Sequence, residues 1–392
     1  MHEINKSCHD FRESEENAMR GIKSSRYLCN YHNKPLFSYE DCFGCTQKHH
    51  NFSKYIACDY IRLENNPIQH VALPKDYKFE PFTFNGKRIL IERTDKGLGD
   101  LLTITVAVKE LKRQFPSCHV IFKVPEHYRA LLENNPYIDD IIGLHENVEK
   151  DFFVSYSNLC PAGVYEHYHN RSIFKSRIDI FCEHLGLYPK DKTPVFCLKD
   201  EEIKQGAEFF NGVSAKKKVG IALSAAEIWV SWTREGNLNL INLLIEKGYI
   251  PVIFTMKDQS PVNIDGAINV HGESIRKMAS IFKNCDIAIT QDGGMMHMAA
   301  ALGIPQIGLF GPTNPEYRIS QYKNSHWIVK HEGICPLGYD NNTYCWYYPL
   351  CSVSKKHPSG RTDIVPICLR AITAEMVYGK ILEVLENAEK RI

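Results

Sequence analysis

The chain has 392 residues, enough for two core-forming domains plus an appendage, because single cores rarely grow beyond about 250 to 300 residues. Lys plus Arg number 47 and Asp plus Glu 46, which excludes a global positive field that would drive nonspecific binding to nucleic acid or anionic lipid. A hydrophobic fraction of 44% with 24% charged residues is that of a folded, soluble chain without long disordered tails. The opening MHEINKSCHDFRESEENAMR lacks the apolar core of a signal peptide, and no later run approaches the roughly 18 apolar residues of a membrane span. The expectation is a cytoplasmic protein with no membrane span, leaving room for peripheral association and for a homo-oligomer.

Residues 1–80 show no sustained period of 2 or 3.6 and hold Cys8, Cys29, Cys42, Cys45 and Cys58, which reads as a small appended module. From residue 87 the texture changes: KRILIER is a compact apolar strand, TDKGLG a turn, and DLLTITVAVKELKRQF an amphipathic helix with Ile104, Val108, Leu111 and Phe115 on one face. HVIFKV then reads as a strand, EHYRALLENN as a helix, IDDIIGL and FFVSYS as strands, and RSIFKSRIDIFCEHLGL as a helix. Such alternation predicts a mostly parallel sheet covered on both faces. The polar segment of residues 190–216 marks a junction, after which alternation resumes. KVGIALS, PVIFTM, DIAITQ and PQIGLFG are strands, and LNLINLLIEKG, SIRKMASIFKNC and MMHMAAALG are helices. The expected division is 1–80, 81–205, 206–330 and a cysteine-rich tail of 331–392 that closes in a helix.

Ligands of open α/β sheets bind beyond the carboxyl ends of the strands, where helix N-termini present free N–H groups. Asp292, Gly293 and Gly294 follow DIAITQ at such a place, and His297 lies within the small-residue helix, Met295–Gly303, that they precede. Glycine lets an anion approach the backbone, and the helix end favours a diphosphate. A second loop, GPTNPE with Gly311 and Thr313, leaves the next strand at the same edge. In the first region the turn containing Gly97 and Gly99 places Asp100 at the start of a helix, where a carboxylate is either a cap or a general base. The turn lacks the GxGxxG spacing of a dinucleotide site, and the chain has no Walker A, GxSxG or HExxH sequence.

These residues resemble glycosyltransferase family 9, the heptosyltransferase-like enzymes of GT-B fold, in which two Rossmann-like domains face one another across a cleft. The resemblance rests on DGGMMHMAAALGIPQIGLFGPTNP at residues 292–315, on ILIERTDKGLGDLLTITVAVKELKRQFP with ENNPYIDDII, and on CLRAITAEMV near the end. It implies metal-independent, inverting transfer of a sugar, heptose from ADP-heptose by resemblance, to a hydroxyl of a glycan such as a lipopolysaccharide core. Asp100 would be the base, and Gly97, Gly99, Asp292, Gly293, Gly294, His297, Gly311 and Thr313 would line the substrates. The family's usual lysine two residues before a tryptophan is Val230 here, before Trp232, with Arg234 as the nearest replacement cation.

Two cysteine sets remain. Cys29, Cys42, Cys45 and Cys58, spaced C-x12-C-x2-C-x12-C, suit a tetrahedral structural zinc or a group of bare thiols. Cys335, Cys345, Cys351 and Cys368 resemble the cysteine-bearing tail of the bacterial autotransporter heptosyltransferases, which glycosylate serines on proteins and bind iron. That leaves iron, zinc and no metal open, and any such site structural, with no cofactor for catalysis. A protein O-glycosyltransferase is thus the alternative acceptor reading. An inactive nucleotide-sugar-binding interaction protein with a zinc module is the alternative of another class.

Overall fold

The computed structural model describes residues 83–389, apart from 96, 158–160, 169–172, 224, 226, 337, 339, 343, 347–350 and 352–363, together with one antiparallel strand pair, β1 (Tyr27–Cys29) and β2 (Lys34–Leu36). The proposed zinc set, Cys42, Cys45 and Cys58 with the side chain of Cys29, lies outside the described residues.

The first parallel sheet has four strands in the order β5-β4-β3-β6: β3 (Arg88–Glu92), β4 (His119–Lys123), β5 (Asp140–Ile142) and β6 (Phe152–Ser155). Its helices are α1 (Leu98–Gln114), α2 (Glu126–Arg129), α3 (Pro161–Tyr168) and α4 (Arg177–Glu183). Strand β3 buries Ile89, Leu90 and Ile91 in succession, as a parallel strand covered on both faces must. Helix α1 is buried from Leu101 to Val108 because α4 and a helix of the second region pack on it beside the sheet.

A linking helix, α5 (Asp200–Glu208), leads to the second sheet, which has six strands in the order β12-β11-β10-β7-β8-β9, all parallel. Its strands and helices alternate as β7 (Lys218–Ala222), α6 (Arg234–Glu246), β8 (Ile250–Thr255), β9 (Ile268–His271), α7 (Ile275–Phe282), β10 (Ile287–Gln291), α8 (Gly294–Leu302), β11 (Gln306–Phe310) and β12 (Ser325–Val329). The chain ends with α9 (Ile367–Arg370) and α10 (Ala374–Glu389), the latter packed on α6.

Several elements differ from the sequence reading, each for a local reason. The helix expected over 126–135 stops at Arg129 and gives way to turns, with Asn134 in the left-handed region at φ 62°. The helix expected over 171–187 begins at Arg177, because the Ser176 side chain accepts from the Asp179 N–H and caps it there. The polar segment of 190–216 holds α5, whose one buried residue is Gly206 and whose apolar signal is correspondingly weak. Strands β9 and β12 are the half-exposed edges of their sheet and lack an apolar run.

The linker is fastened to both sheets. A methyl group added at Gly206 would lie 2.2 Å from the Ser280 carbonyl oxygen, so α5 and α7 touch backbone to backbone. Arg276 of α7 donates to both Glu202 oxygens, to the carbonyl of Ala130 at 2.9 Å and to that of Cys197 at 2.7 Å, with its guanidinium over the Phe196 ring.

Candidate active site

In each sheet the order of connection reverses beside one strand: β3 lies between β4 and β6, and β7 between β8 and β10. Crevices form at such points, outside the strands' carboxyl ends. The loops leaving β3, β7 and β10 are therefore the ones placed to hold a ligand. At the first, Gly97 has φ 133°, a conformation a side chain would strain, and precedes α1. Asp100 sits inside the first turn of α1, so it is not the helix cap.

The amino ends of α1 and α8 meet. A methyl group at Gly99 would come 3.0 Å from Cδ2 of His297, and one at Gly294 would come 2.4 Å from Cδ2 of Leu98. Both glycines are thus required by close approach between elements of the two sheets. Helix α8 starts at Gly294, one residue before the expected Met295, with extended Gly293 as its cap and left-handed Gly303 at its other end. Two helix N-termini, each carrying partial positive charge, converge on one place.

Charge at that place is organised as a ladder. Arg93 Nη2 donates to Asp100 at 2.9 Å and Arg177 Nη1 donates to the other Asp100 oxygen at 2.5 Å. Arg177 also grips Glu166 with two bonds, at 2.8 and 2.6 Å. Glu166, 1% exposed, faces Arg318 Nη1 at 3.1 Å, and Arg318 Nε stands 3.5 Å from Asp292. The sequence Arg93, Asp100, Arg177, Glu166, Arg318, Asp292 alternates in sign and runs from the four-stranded region into the six-stranded one. Arg318 is further held by stacking on Trp346, 4.7 Å from the ring centroid. Burial pushes the Asp100 carboxyl upward, but Arg177 and Arg93 outweigh it and hold the group below its ordinary range.

His297 lies beside this ladder, with Nδ1 2.6 Å from the Tyr322 hydroxyl and both rings buried. Burial drives the imidazole down from 6.5 to about 4, so it is neutral at physiological pH. The unfolded chain then binds a proton that the folded chain refuses between those values. Stability contributed here is full above pH 6.5 and falls, by on the order of 3 kcal/mol, as pH drops to about 4. Urea unfolding across pH 4 to 7 should show this slope in the wild type and a flatter one in His297→Gln.

The Gly311–Thr313 loop leaves β11 at the same edge. Its backbone is held by the tail: His331 Nε2 is 2.7 Å from the Gly311 carbonyl, the Trp346 N–H donates to the Pro312 carbonyl at 2.7 Å, and a methyl at Gly311 would meet Leu369 and the Cys368 sulfur. The Thr313 hydroxyl is fully buried and has no hydrogen-bond partner among the described residues, an arrangement that native structures seldom leave without a purpose. Cys345, Cys351 and Cys368 are close enough to act on one another electrostatically, and burial foremost lifts the Cys368 thiol to about 12. Among the described residues no group of three or more His, Cys, Asp or Glu side chains is arranged to hold a metal ion.

The loop after β7 carries Val230, buried, and Trp232, whose indole N–H donates to the Ile372 carbonyl at 3.1 Å. Gln291 at the end of β10 pins this loop by accepting from the Trp232 N–H and donating to the carbonyls of Ala222 and Leu223. Arg234 stands exposed at the first turn of α6. The cations of the site are buried Arg93 and Arg318 and half-buried Arg177, which the sequence reading did not single out, and neither were Glu166 and Tyr322. Arg318 ends the stretch NPEYR that closes the second loop, but nothing in its spacing shows that a glutamate 152 positions earlier will face it.

Comparison with known proteins agrees with this architecture. Residues 163–336 match the family model of glycosyltransferase family 9 (heptosyltransferase). The lipooligosaccharide heptosyltransferase 2 of Haemophilus influenzae is 30% identical over 98 residues, covering 22% of this chain and 28% of that protein. The lipopolysaccharide heptosyltransferase 2 of Escherichia coli is 32% identical over 98 residues, with the same shares. The matched stretch thus spans less than a third of these relatives' length. Among solved structures, the E. coli ADP-heptose LPS heptosyltransferase II superposes with a TM-score of 0.58 at 15% identity, covering 77% of this chain and 99% of the other. The iron-containing dodecameric glycosyltransferase TibC of enterotoxigenic E. coli does so with a TM-score of 0.56 at 17% identity, covering 79% of each chain. The chain thus shares the GT-B architecture of these structures, and the DGG and GPT loops lie inside the stretch that matches the glycosyltransferase family 9 (heptosyltransferase) model.

Proposed function

We propose that this protein transfers a sugar, heptose in its likeness to the relatives above, from a nucleotide-diphosphate donor such as ADP-heptose to a hydroxyl acceptor with inversion. The observation that supports the reading most is the meeting of α1 and α8: Asp100 from the first region and Asp292 from the second are joined through one ionic ladder, with neutral His297 beside it, at the two strand-order reversals. In this reading residues 206–330 bind the donor and residues 81–205 present the acceptor. Asp100 takes the acceptor's proton. Asp292, Gly293, Gly294 and His297 hold the sugar and diphosphate, with Gly97, Gly99, Gly311 and Thr313 beside them.

Departure of a diphosphate from an oxocarbenium-like centre needs positive potential on the leaving oxygens. The N–H groups of the α8 terminus and the guanidinium of Arg318 supply it better than exposed Arg234, the replacement expected from sequence. A protein hydroxyl is the second acceptor reading, favoured by the resemblance of the cysteine tail, packed here against the Gly311–Thr313 loop, to that of the autotransporter heptosyltransferases.

The test is a panel of nucleotide-sugars incubated with the purified chain, read by thermal shift and by release of the nucleoside diphosphate in the presence of a lipopolysaccharide core or a serine-rich protein. A donor that binds only the folded chain raises its melting temperature by mass action. Absence of any shift and of any release across the panel would remove the enzyme reading and leave the interaction protein. Metal analysis of the same preparation decides whether iron or zinc accompanies the cysteines.

A further inference from the structure

The turn that carries Asp100 is pinned at both ends by side-chain hydroxyls. The Thr94 N–H donates to Ser157 Oγ, just beyond β6, at 2.6 Å, and the Gly97 N–H donates to Tyr128 Oη, on α2, at 3.1 Å. Each oxygen spends a lone pair on the turn and keeps its own proton. Ser157 is buried, whereas Tyr128 is half-buried, packed on the core yet reaching solvent. The hydroxyl proton of Tyr128 has no acceptor among the described residues.

Tyr128 stands on the open flank of Asp100. On the β6 side the carboxylate meets Arg177, which is backed by Glu166, and Glu166, Tyr156 and Ser157 are all buried. On the β4 side comes Gly97, where a methyl group would stand in ordinary contact with Asp100 Oδ2 at 3.7 Å, and the Tyr128 hydroxyl is bonded to the N–H of this same glycine. Gly97 is half-buried, and His127, whose ring centroid lies 4.1 Å from that of Tyr128, is exposed. The Asp100 side chain is itself 16% exposed, so a substrate can reach it. Each of its oxygens accepts from one guanidinium and keeps a second lone-pair direction for a further donor. A carboxylate and an oriented hydroxyl donor thus flank one glycine.

We propose that Tyr128 binds the acceptor sugar: its hydroxyl, oriented by the Gly97 N–H, donates to the oxygen next to the hydroxyl that Asp100 deprotonates. This rests on the transfer reading above and names its acceptor class, a saccharide with adjacent hydroxyls rather than a serine side chain, which offers one oxygen only. In the step itself the acceptor hydroxyl gives its proton to Asp100 and its oxygen bonds to the anomeric carbon of the donor. The bond from that carbon to the diphosphate breaks, and its electron pair leaves on the diphosphate. Tyr128 keeps its proton throughout. Fixed contacts on two neighbouring oxygens set the angle at which the attacking one approaches, which is how orientation lowers a barrier.

The test uses the full chain with ADP present, so that no transfer occurs, and a lipopolysaccharide core oligosaccharide with a set of analogues each lacking one hydroxyl. Calorimetry should show Tyr128→Phe binding the parent oligosaccharide about tenfold more weakly than the wild type, the effect of one lost hydrogen bond. One analogue should lose the same factor on the wild type and bind both chains equally, because the pair is already broken. With a donor that is turned over, KM for the oligosaccharide should rise about tenfold while kcat holds within about threefold. A tyrosine that only braced the turn would lower kcat instead, and no analogue would cancel its loss. If Tyr128→Phe folds poorly, wild-type chain isotope-labelled at tyrosine Cζ supplies the answer: the Tyr128 signal should move with the parent oligosaccharide and stay in place with that one analogue.

Equal binding of the parent oligosaccharide by the wild type and Tyr128→Phe overturns the proposal, as does a loss in Tyr128→Phe that every analogue shows undiminished. An oligosaccharide that does not bind the wild type overturns the acceptor class. Failure of every nucleotide-sugar to be turned over strikes the proposed activity instead, and the binding comparison still judges Tyr128.

Discussion

Asp100→Asn is expected to slow sugar transfer by about 10² to 10⁴-fold, the range for losing a general base, with ADP affinity held within about threefold because the base acts on the acceptor rather than the nucleotide. The variant should fold. Arg177 keeps both bonds to Glu166, Arg93 keeps Asp95 and the Tyr156 carbonyl, and the Asn oxygen still accepts one hydrogen bond. The two guanidiniums on Asp100 set a second expectation. A carboxyl held below its ordinary range is ionised throughout pH 5 to 8, so an acid limb of the rate in that window belongs to another group. A weakly basic carboxylate works here by position, so its distance from the acceptor oxygen matters more than its pKa. Initial rates beside melting temperatures check the assignment, and a folded variant retaining more than about a tenth of the wild-type rate would end it.

Glu166→Ala is expected to cost about 3 to 5 kcal/mol of stability, the penalty for removing one partner from buried ion pairs. The side chain is 1% exposed and is the shared partner of Arg177 and Arg318, so its loss removes one carboxylate from each. Glu166→Gln keeps the shape and an acceptor oxygen, and should cost less. Both substitutions should also lower activity beyond what unfolding explains. With Glu166 neutral, Arg177 and Arg318 lean more strongly on Asp100 and Asp292 and draw those carboxylates away from substrate. Urea unfolding monitored by fluorescence and circular dichroism measures the first effect. A loss below about 1 kcal/mol for the alanine variant would show that the ladder behaves as a surface network does.

The alternation of apolar strands and amphipathic helices was legible because parallel strands buried on both faces write themselves as runs such as ILI and VIF. Small residues made α8 legible too, since a helix that packs this closely on the sheet and on α1 tolerates little else. Edge strands and the polar linker helix were not, because half of each is wet and their periodicity is faint. Within the site, Asp100, Asp292 and His297 were visible as residues at strand ends beside glycines. The ladder that joins them was not, since Arg93, Glu166, Arg177 and Arg318 are ordinary charged residues whose meaning arises only when two sheets bring them together. Tyr322 was hidden for the same reason: its partner is a histidine 25 positions earlier.

The grip of the tail on the Gly311–Thr313 loop bears on how the chain can be divided. A boundary after β12, where the sheet ends and the texture turns irregular, suggests a natural place to shorten the protein. Such a fragment would keep every strand of both sheets, yet lose His331 from Gly311, Trp346 from Pro312 and from the face of Arg318, and the Cys368–Leu369 wedge behind the loop. The folded unit that shapes this loop therefore extends through residue 369, with His331, Trp346, Cys368 and Leu369 as one of its walls.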